Sequence, residues 1–315
     1  MFPEQWSDPD AVRRAATVLG DDARVNAPLG ALTTSRVGGP AAVAYVANGL
    51  SDLQRAAEAA ATSGLEILIV GRGSNLLVAD RGFEGIALFL GDAYAQIEFD
   101  RANATVTAGA AAALPVLARQ CAVPGIGGLE WAVGVPGSVG GAVRMNAGGH
   151  GSDMASCLID ADIVDLEAGT GATRDVSTLD LNYRSSGLQN RHVVVRARLS
   201  GRRAPSSKVT DQIADIVRWR REHQPGGQNS GSVFMNPPAE SAGAHIDQTG
   251  LRGLRIGTAE VSRLHANFIV SDPDGTAADV VALMAEIRRR VAESTGIVLQ
   301  PEVRMVGFET APTPS

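Results

Sequence analysis

Short apolar runs punctuated by glycine and proline divide the chain into strands and helices before any motif is considered. Asp8 followed by Pro9 predicts a helix N-cap and first helical position, and Gly20 ends that helix. Residues 41–47 read as a strand. Ser51 with Gln54 has the spacing of a capping box ahead of an alanine-rich helix over 53–63, and Gly64 separates that helix from a buried strand over 65–70. The result is a strand, helix, strand unit. From 86 to 199, short β-like runs (86–90, 105–108, 159–166 and 192–199) surround one helical segment near 114–121, the body of an α+β domain. A polar, proline-containing break at 201–207 predicts a domain boundary. It precedes a helix with apolar positions Val209, Ile213, Ile216 and Val217, which runs on to Pro225, Gly226 and Gly227. The helix over 277–294 puts Val280, Met284, Ile287 and Val291 on one stripe, a core face. The tail 310–315 is expected to be disordered.

Composition narrows the classes of function. A chain of 315 residues with 44% hydrophobic content exceeds what one core accommodates, so two or three domains are expected. The net charge of −6, with no concentrated lysine and arginine, argues against nucleic acid or an anionic membrane as the main partner. Cys121 and Cys157 form no CxxC pair and lack a ligand-spaced histidine cluster, so the expectation is free thiols, no metal and no disulfide. The first residues carry no signal-peptide pattern and no apolar run reaches about 18 residues, so a soluble, cytoplasmic protein is expected.

The candidate chemistry begins with glycine. The segment GVPGSVGGAVRMNAGG (134–149) crowds glycines around a Pro-Gly turn, and GRGSNLLVAD (71–80) follows directly on the predicted strand 65–70. Glycine lets backbone N–H groups approach a ligand closely and line one anion-binding hollow, so a diphosphate, and with two such loops a dinucleotide, is the natural guest. Leu76 stands where GxGxxG needs its third glycine, and neither loop has Gly-Lys-Ser or Gly-Lys-Thr, which disfavours a Rossmann or Walker site. Each cluster by itself reads more readily as a tight turn than as a ligand loop. A third glycine turn at Gly38 and Gly39 adds weight to the ligand reading.

TTSRVGGPA (33–41), GRGSNLLVAD, GLEWAVGVPGSVGGAVRMNAG (128–148), NYRSS (182–186), GSVFMNPP (231–238) and PEVR (301–304) occur in this order. This series resembles the UDP-N-acetylenolpyruvoylglucosamine reductase family, flavoenzymes of bacterial peptidoglycan synthesis, over about 26–304. The resemblance implies an α+β fold: a two-subdomain FAD-binding module of the vanillyl-alcohol oxidase (PCMH) type plus a C-terminal α+β substrate domain. It suggests subdomain 1 over 1–91 with a C-terminal strand at 302–309, subdomain 2 over 92–203 and the substrate domain over 204–301. The few residues between NYRSS and the strand 192–199 leave no room for the tyrosine-bearing loop of the family's longer type.

The resemblance also implies FAD as cofactor, NADPH as co-substrate and UDP-N-acetylglucosamine enolpyruvate as substrate, with a monomer expected. Reducing an enol ether needs a hydride at the β-carbon, an acid at the α-carbon and groups that stabilise charge on the carboxylate side. The family's catalytic serine, arginine and glutamate fall on Ser232, Arg184 and Glu302. Read alone, these are a loop hydroxyl, a surface ion-pair partner and a strand-edge carboxylate. The cofactor positions implied are Gly71, Arg72, Gly73, Ser74, Asn75 and Leu76, together with Gly134, Pro136, Gly137, Ser138, Gly140, Gly141 and Asn146. Asn236 and Tyr183 match substrate-contacting positions, Tyr183 with packing as its other reading. Met235 and His150 depart from the family pattern, standing where lysine and tyrosine are frequent. His150 is expected to hold a substrate phosphate, with affinity falling as pH rises, or else to be a solvated loop histidine. His265 is expected to be structural. Two rival readings are a flavin oxidase of another sugar or alcohol and a non-catalytic sugar-nucleotide-binding paralogue.

Overall fold

A computed structural model describes residues 6–308; the tail 310–315 lies outside the described residues. The chain forms two compact units. The first comprises residues up to Val25, Val43–Arg72 and Gly85–Glu222, and the second comprises Asn26–Ala42, Gly73–Glu84 and the chain from His223 on.

In the first unit, the helix Pro9–Leu19 starts as its sequence predicts: the Asp8 side chain accepts from the Ala11 N–H at 2.8 Å, and Pro9 needs no N–H at the first position. The second helix differs from expectation. It begins at Leu50 behind Gly49 and runs to Ser63, so Ser51 lies inside it and no capping box forms. The strands Ala41–Ala47 and Glu66–Val70 flank this helix in sequence but are not neighbours in the sheet. Phe83–Leu90 lies between them and pairs in parallel with Glu66–Val70.

The body of this unit is a five-stranded antiparallel sheet in the order Thr170–Asp175, Leu158–Asp165, His192–Ser200, Thr105–Gly109, Ile97–Asp100. One face of it is packed into a core that includes Val106, Leu117, Ala161, Ile163 and Ala197. The helices Leu114–Ala122 and Val139–Met145 contribute to the same core. Cys121 and Cys157 are free and buried there, and burial pushes both thiols up to about 12, which makes them inert. The helix Ser206–His223 buries Val209 and Ile213 in this core, and the compact unit runs on past the break 201–207 to Glu222. An amphipathic helix goes with the core that covers its apolar stripe, whatever the composition of the loop before it.

The second unit holds the antiparallel sheet Gln228–Ser232, Phe268–Ser271, Ala259–Val261, Arg255–Ile256. The helix Ala277–Thr295 buries Val280, Met284, Ile287 and Val291, as the stripe predicts, and adds Leu283 to a core containing Phe234 and Ile246. Residues Leu76–Val78 are extended, as read, and pair in parallel with Arg304–Val306.

The start of the long helix is fixed by carboxylates. Asp80 accepts from the N–H groups of Ala277 and Ala278 at 2.8 and 2.9 Å, and Asp279 accepts from the Thr258 hydroxyl and N–H at 2.6 and 2.9 Å. The Thr258 hydroxyl, then its N–H, hold the Asp279 carboxyl below its ordinary value of 3.8. A depressed carboxyl contributes stability that is fully present above its unfolded pKa and is lost as pH falls through its lower folded value. Asp279→Asn is therefore expected to cost stability at pH 7 and progressively less below pH 3.8, measured by urea unfolding across that range.

Candidate functional site

The two glycine motifs meet in the first unit at Gly71 and Ser138. A Cβ on Gly71 would lie 2.5 Å from Ser138 Oγ, and that hydroxyl accepts from the Gly141 N–H at 3.3 Å as the N-cap of Val139–Met145. A side chain at 71 therefore dislodges a cap worth about 1 kcal/mol. Helix formation over 139–145 is unexpected from two glycines and a β-branched start. The loop manages it by bonding to a neighbouring segment. Leu114 N–H donates to the Gly137 carbonyl, Val139 N–H to Ala112 and Gly140 N–H to Ala110. A Cβ on Gly140 would stand 2.8 Å from the Ala110 Cβ.

The expectation that this whole loop presents N–H donors to one anion thus changes. The N–H groups of Val139, Gly140 and Gly141 serve the protein itself, so Gly140 and Gly141 act through close packing. In the preceding segment Gly134–Ser138, Val135 N–H donates to the Ala132 carbonyl at 3.2 Å and Pro136 is exposed.

In the second unit, Gly73 has φ +62°, and a Cβ there would lie 2.8 Å from Thr33 Cα. Its carbonyl accepts from the Thr34 N–H at 3.2 Å. The Thr34 hydroxyl is buried without a partner among the described residues. A buried hydroxyl without a partner is costly and calls for a ligand. Thr34 belongs to TTSRVGGPA, yet reading by glycine content passed over it.

Two expected cofactor positions also hold the chain together. Leu76 is buried, and its strand pairs with Arg304–Val306. Asn75 donates its side-chain N–H to the Glu302 carbonyl at 3.1 Å, while its own carbonyl accepts from Arg304 N–H at 3.0 Å. Arg72 is exposed and Ser74 half-buried.

Asn146 is 4% exposed and turns the chain at φ 39° after Val139–Met145. Its amide donates to the Asn182 carbonyl at 3.0 Å and accepts from the Ala155 N–H at 2.8 Å, so the side chain braces the NYRSS segment. Replacing it with leucine would orphan the Ala155 N–H, take one of two donors from the Asn182 carbonyl and place a branched side chain at positive φ. Asn146→Leu is expected to destabilise by about 2–4 kcal/mol in chemical denaturation.

The braced segment is a two-residue hairpin. Asn182 and Ser185 exchange backbone hydrogen bonds at 3.1 Å, leaving Tyr183 and Arg184 at the tip. Arg184 sits at φ 56°, strained for a residue with a side chain. Its guanidinium lies 5.2 Å from the Tyr183 ring centre, and Nη1 donates to the Gly148 carbonyl at 3.4 Å. Tyr183 is 53% exposed, which favours contact with a ligand over core packing.

His150 lies exposed in a turn, in keeping with the loop reading. Its ring meets Trp219 edge to face at 5.1 Å and rests where a Cβ on Gly134 would come within 2.6 Å. Burial, then the nearby Arg220 charge, push the imidazole below its ordinary value.

Ser232 and Glu302 belong to the second unit. Ser232 ends the strand Gln228–Ser232, after a bulge in which Gly231 has φ +76° and donates to the Asn229 side chain at 3.0 Å. A bulge re-aims the residue that follows it. Glu302 N–H donates to the Val233 carbonyl at 2.8 Å, which sets the serine and glutamate segments side by side. The Asn236 side-chain oxygen accepts from Ala242 N–H at 3.0 Å, so that amide also anchors the helix Ala242–Gln248. His265 keeps its structural reading: Nδ1 accepts from Asn267 N–H at 3.3 Å, and the ring packs on Phe268 at 4.7 Å.

Residues 223–306 match the family described as UDP-N-acetylenolpyruvoylglucosamine reductase, C-terminal domain, and residues 40–173 match an FAD binding domain family. Curated proteins named UDP-N-acetylenolpyruvoylglucosamine reductase are similar over most of their length. The one from Heliobacterium modesticaldum is 40% identical, covering 89% of this chain and 89% of its own. The one from Rhodopseudomonas palustris is 38% identical, covering 98% of each. The crystal structure of the reductase from Thermus caldophilus aligns with TM-score 0.78 and 34% identity, covering 90% of this chain and 99% of that one. The fold is therefore an α+β FAD-binding module with a C-terminal domain of the reductase type.

Proposed function

Because this chain belongs to the UDP-N-acetylenolpyruvoylglucosamine reductase family, and is thereby an FAD-dependent oxidoreductase, we propose that it converts UDP-N-acetylglucosamine enolpyruvate to UDP-N-acetylmuramate. NADPH is the reductant, and the reaction belongs to cytoplasmic peptidoglycan precursor synthesis. The observation that carries the reading is the 2.8 Å bond from Glu302 N–H to the Val233 carbonyl, which lays the segment of the proposed acid alongside the segment of the proposed catalytic carboxylate.

The glycine contacts and the orphaned Thr34 hydroxyl fit a cofactor whose diphosphate is held by backbone and neutral donors. Gly71, Arg72 and the segment Gly134–Ser138, all within the first unit, would hold it. The chemistry that bound FAD would supply is hydride transfer, from NADPH to the β-carbon of the enolpyruvyl group. Ser232 gives the Oγ proton to the α-carbon, and its hydroxyl is afterwards restored from water. Glu302 orients the groups that return this proton. Arg184 grips the substrate carboxylate through its planar fork and stabilises the negative charge that builds there. Tyr183, beside that guanidinium, offers an aromatic face to substrate or nicotinamide.

Anaerobic stopped-flow absorbance tests the reading. The yellow protein reduced with NADPH should regain its oxidised spectrum rapidly when UDP-N-acetylglucosamine enolpyruvate is added. Flavin that stays reduced until oxygen enters would point to an oxidase, and a protein unable to take up FAD would point to a silent binder. Gly71→Val, which drives a branched side chain into Ser138 Oγ, is expected to raise the Kd for FAD at least about tenfold, read by flavin fluorescence on titrating the apoprotein.

A further inference from the structure

We infer that Asn267 is the positioning residue that aims Ser232, an assignment resting on the reading of Ser232 as the acid. Beyond Ser232 the chain must stay extended for the Glu302 segment to lie alongside. In an extended chain the N–H and carbonyl of one residue point to the same side, and those of the next residue to the opposite side. On one side, Val233 carbonyl and Met235 N–H bond to Glu302 N–H and the Gln300 carbonyl, both at 2.8 Å. Pro301 is tolerated there because its position, opposite Phe234, needs no N–H.

Phe234 therefore turns its own N–H and carbonyl the other way, where the strand Phe268–Ser271 has already ended its pairing at Ser232 with Phe268. Asn267 fills that place with its side chain. Oδ1 accepts from Phe234 N–H at 3.0 Å, Nδ2 donates to the Phe234 carbonyl at 2.8 Å, and the Asn267 carbonyl accepts from Val233 N–H at 2.9 Å. Asn267 is 3% exposed and Phe234 fully buried, so water cannot replace these bonds. The amide acts as one extra rung of sheet, holding Val233 and Phe234 rigid after a bulge that would otherwise leave Ser232 loosely aimed. A side chain with both an acceptor and a donor on one short planar group is required. Aspartate keeps the acceptor but sets a second oxygen against the Phe234 carbonyl.

The test compares parent, Asn267→Asp and Asn267→Ser with the same changes in a Ser232→Ala background, each as the FAD-loaded protein. Misplacing a reacting group by about 1 Å costs about 100-fold. The expected result is flavin reoxidation by UDP-N-acetylglucosamine enolpyruvate slowed about 10- to 100-fold, with flavin reduction by NADPH within about twofold of the parent. In the Ser232→Ala background the Asn267 changes should slow reoxidation no further, because two residues acting as a unit are not additive. The solvent deuterium isotope effect on reoxidation should rise in the single variants as protonation becomes more limiting.

Equal slowing in both backgrounds, or parent-like reoxidation in the single variants, would overturn the positioning role. Equal slowing of both half-reactions with a lowered Tm would also overturn it, in favour of general structural support. Should the aspartate variant fail to fold, the serine variant, which keeps a small donor and acceptor, carries the same comparison. Ser232→Ala that leaves reoxidation untouched would overturn the reading of Ser232 itself, a result distinct from any Asn267 outcome.

Discussion

Ser232→Ala is expected to leave flavin reduction by NADPH at the parent rate and to slow reoxidation by UDP-N-acetylglucosamine enolpyruvate about 10²- to 10⁴-fold, the usual contribution of a positioned general acid. The two half-reactions separate because only the second needs a proton at carbon. The fold should survive the change, since the substitution removes one half-buried hydroxyl while Val233 and Phe234 keep their bonds to Asn267 and Glu302. An unassisted serine is a weak acid, so the developing alkoxide must be stabilised nearby. Glu302→Gln is the natural companion variant. Anaerobic stopped-flow traces at 450 nm, a wavelength characteristic of oxidised flavin, give both half-reactions from one sample. A Ser232→Ala protein reoxidised at the parent rate would remove the serine from the mechanism.

Arg184→Lys is expected to lower kcat/KM for the enolpyruvyl substrate about 100-fold, roughly 2.7 kcal/mol of transition-state stabilisation. The charge is kept, so the loss measures geometry. Lysine cannot present two parallel N–H donors to a carboxylate, and it cannot lie flat beside the Tyr183 ring, which the guanidinium approaches at 5.2 Å. The backbone strain at φ 56° is the same for both side chains, so folding stability should change little. A substrate whose carboxylate is replaced by an amide should discriminate poorly between the two proteins. Equal kcat/KM for parent and lysine variant would show that Arg184 acts only as a point charge.

Much of the local structure was legible in the chain. Asp8, Pro9 and Gly20 mark one helix, and the stripe from Val280 to Val291 marks another, because caps and periodicity act over a few residues. The capping box at Ser51 and Gln54 misled for the same reason: Gly49 already terminates the preceding segment, and the helix starts one residue before the box. The glycines of 134–149 were read as anion donors. Only the loop beside them, at Ala110 and Ala112, shows that the N–H groups of Gly140 and Val139 are taken.

By itself, the sequence determined which residues could do chemistry. The ordered motifs name Ser232, Arg184 and Glu302, and a serine hydroxyl, a guanidinium fork and a carboxylate have their reactivity as side-chain types in any fold. Tertiary structure alone decided how they are held. Asn146 braces the Arg184 hairpin across 36 residues of chain, Asn267 clamps Phe234 across 33, and Asn75 ties to Glu302 across 227. Such bonds join side-chain amides to backbone groups, and every residue except proline offers the same backbone donor and acceptor, so no sequence pattern records which pair will meet. The helix Ser206–His223 makes the same point for packing: its apolar stripe announces that it will be buried, and only the folded chain shows which core receives it.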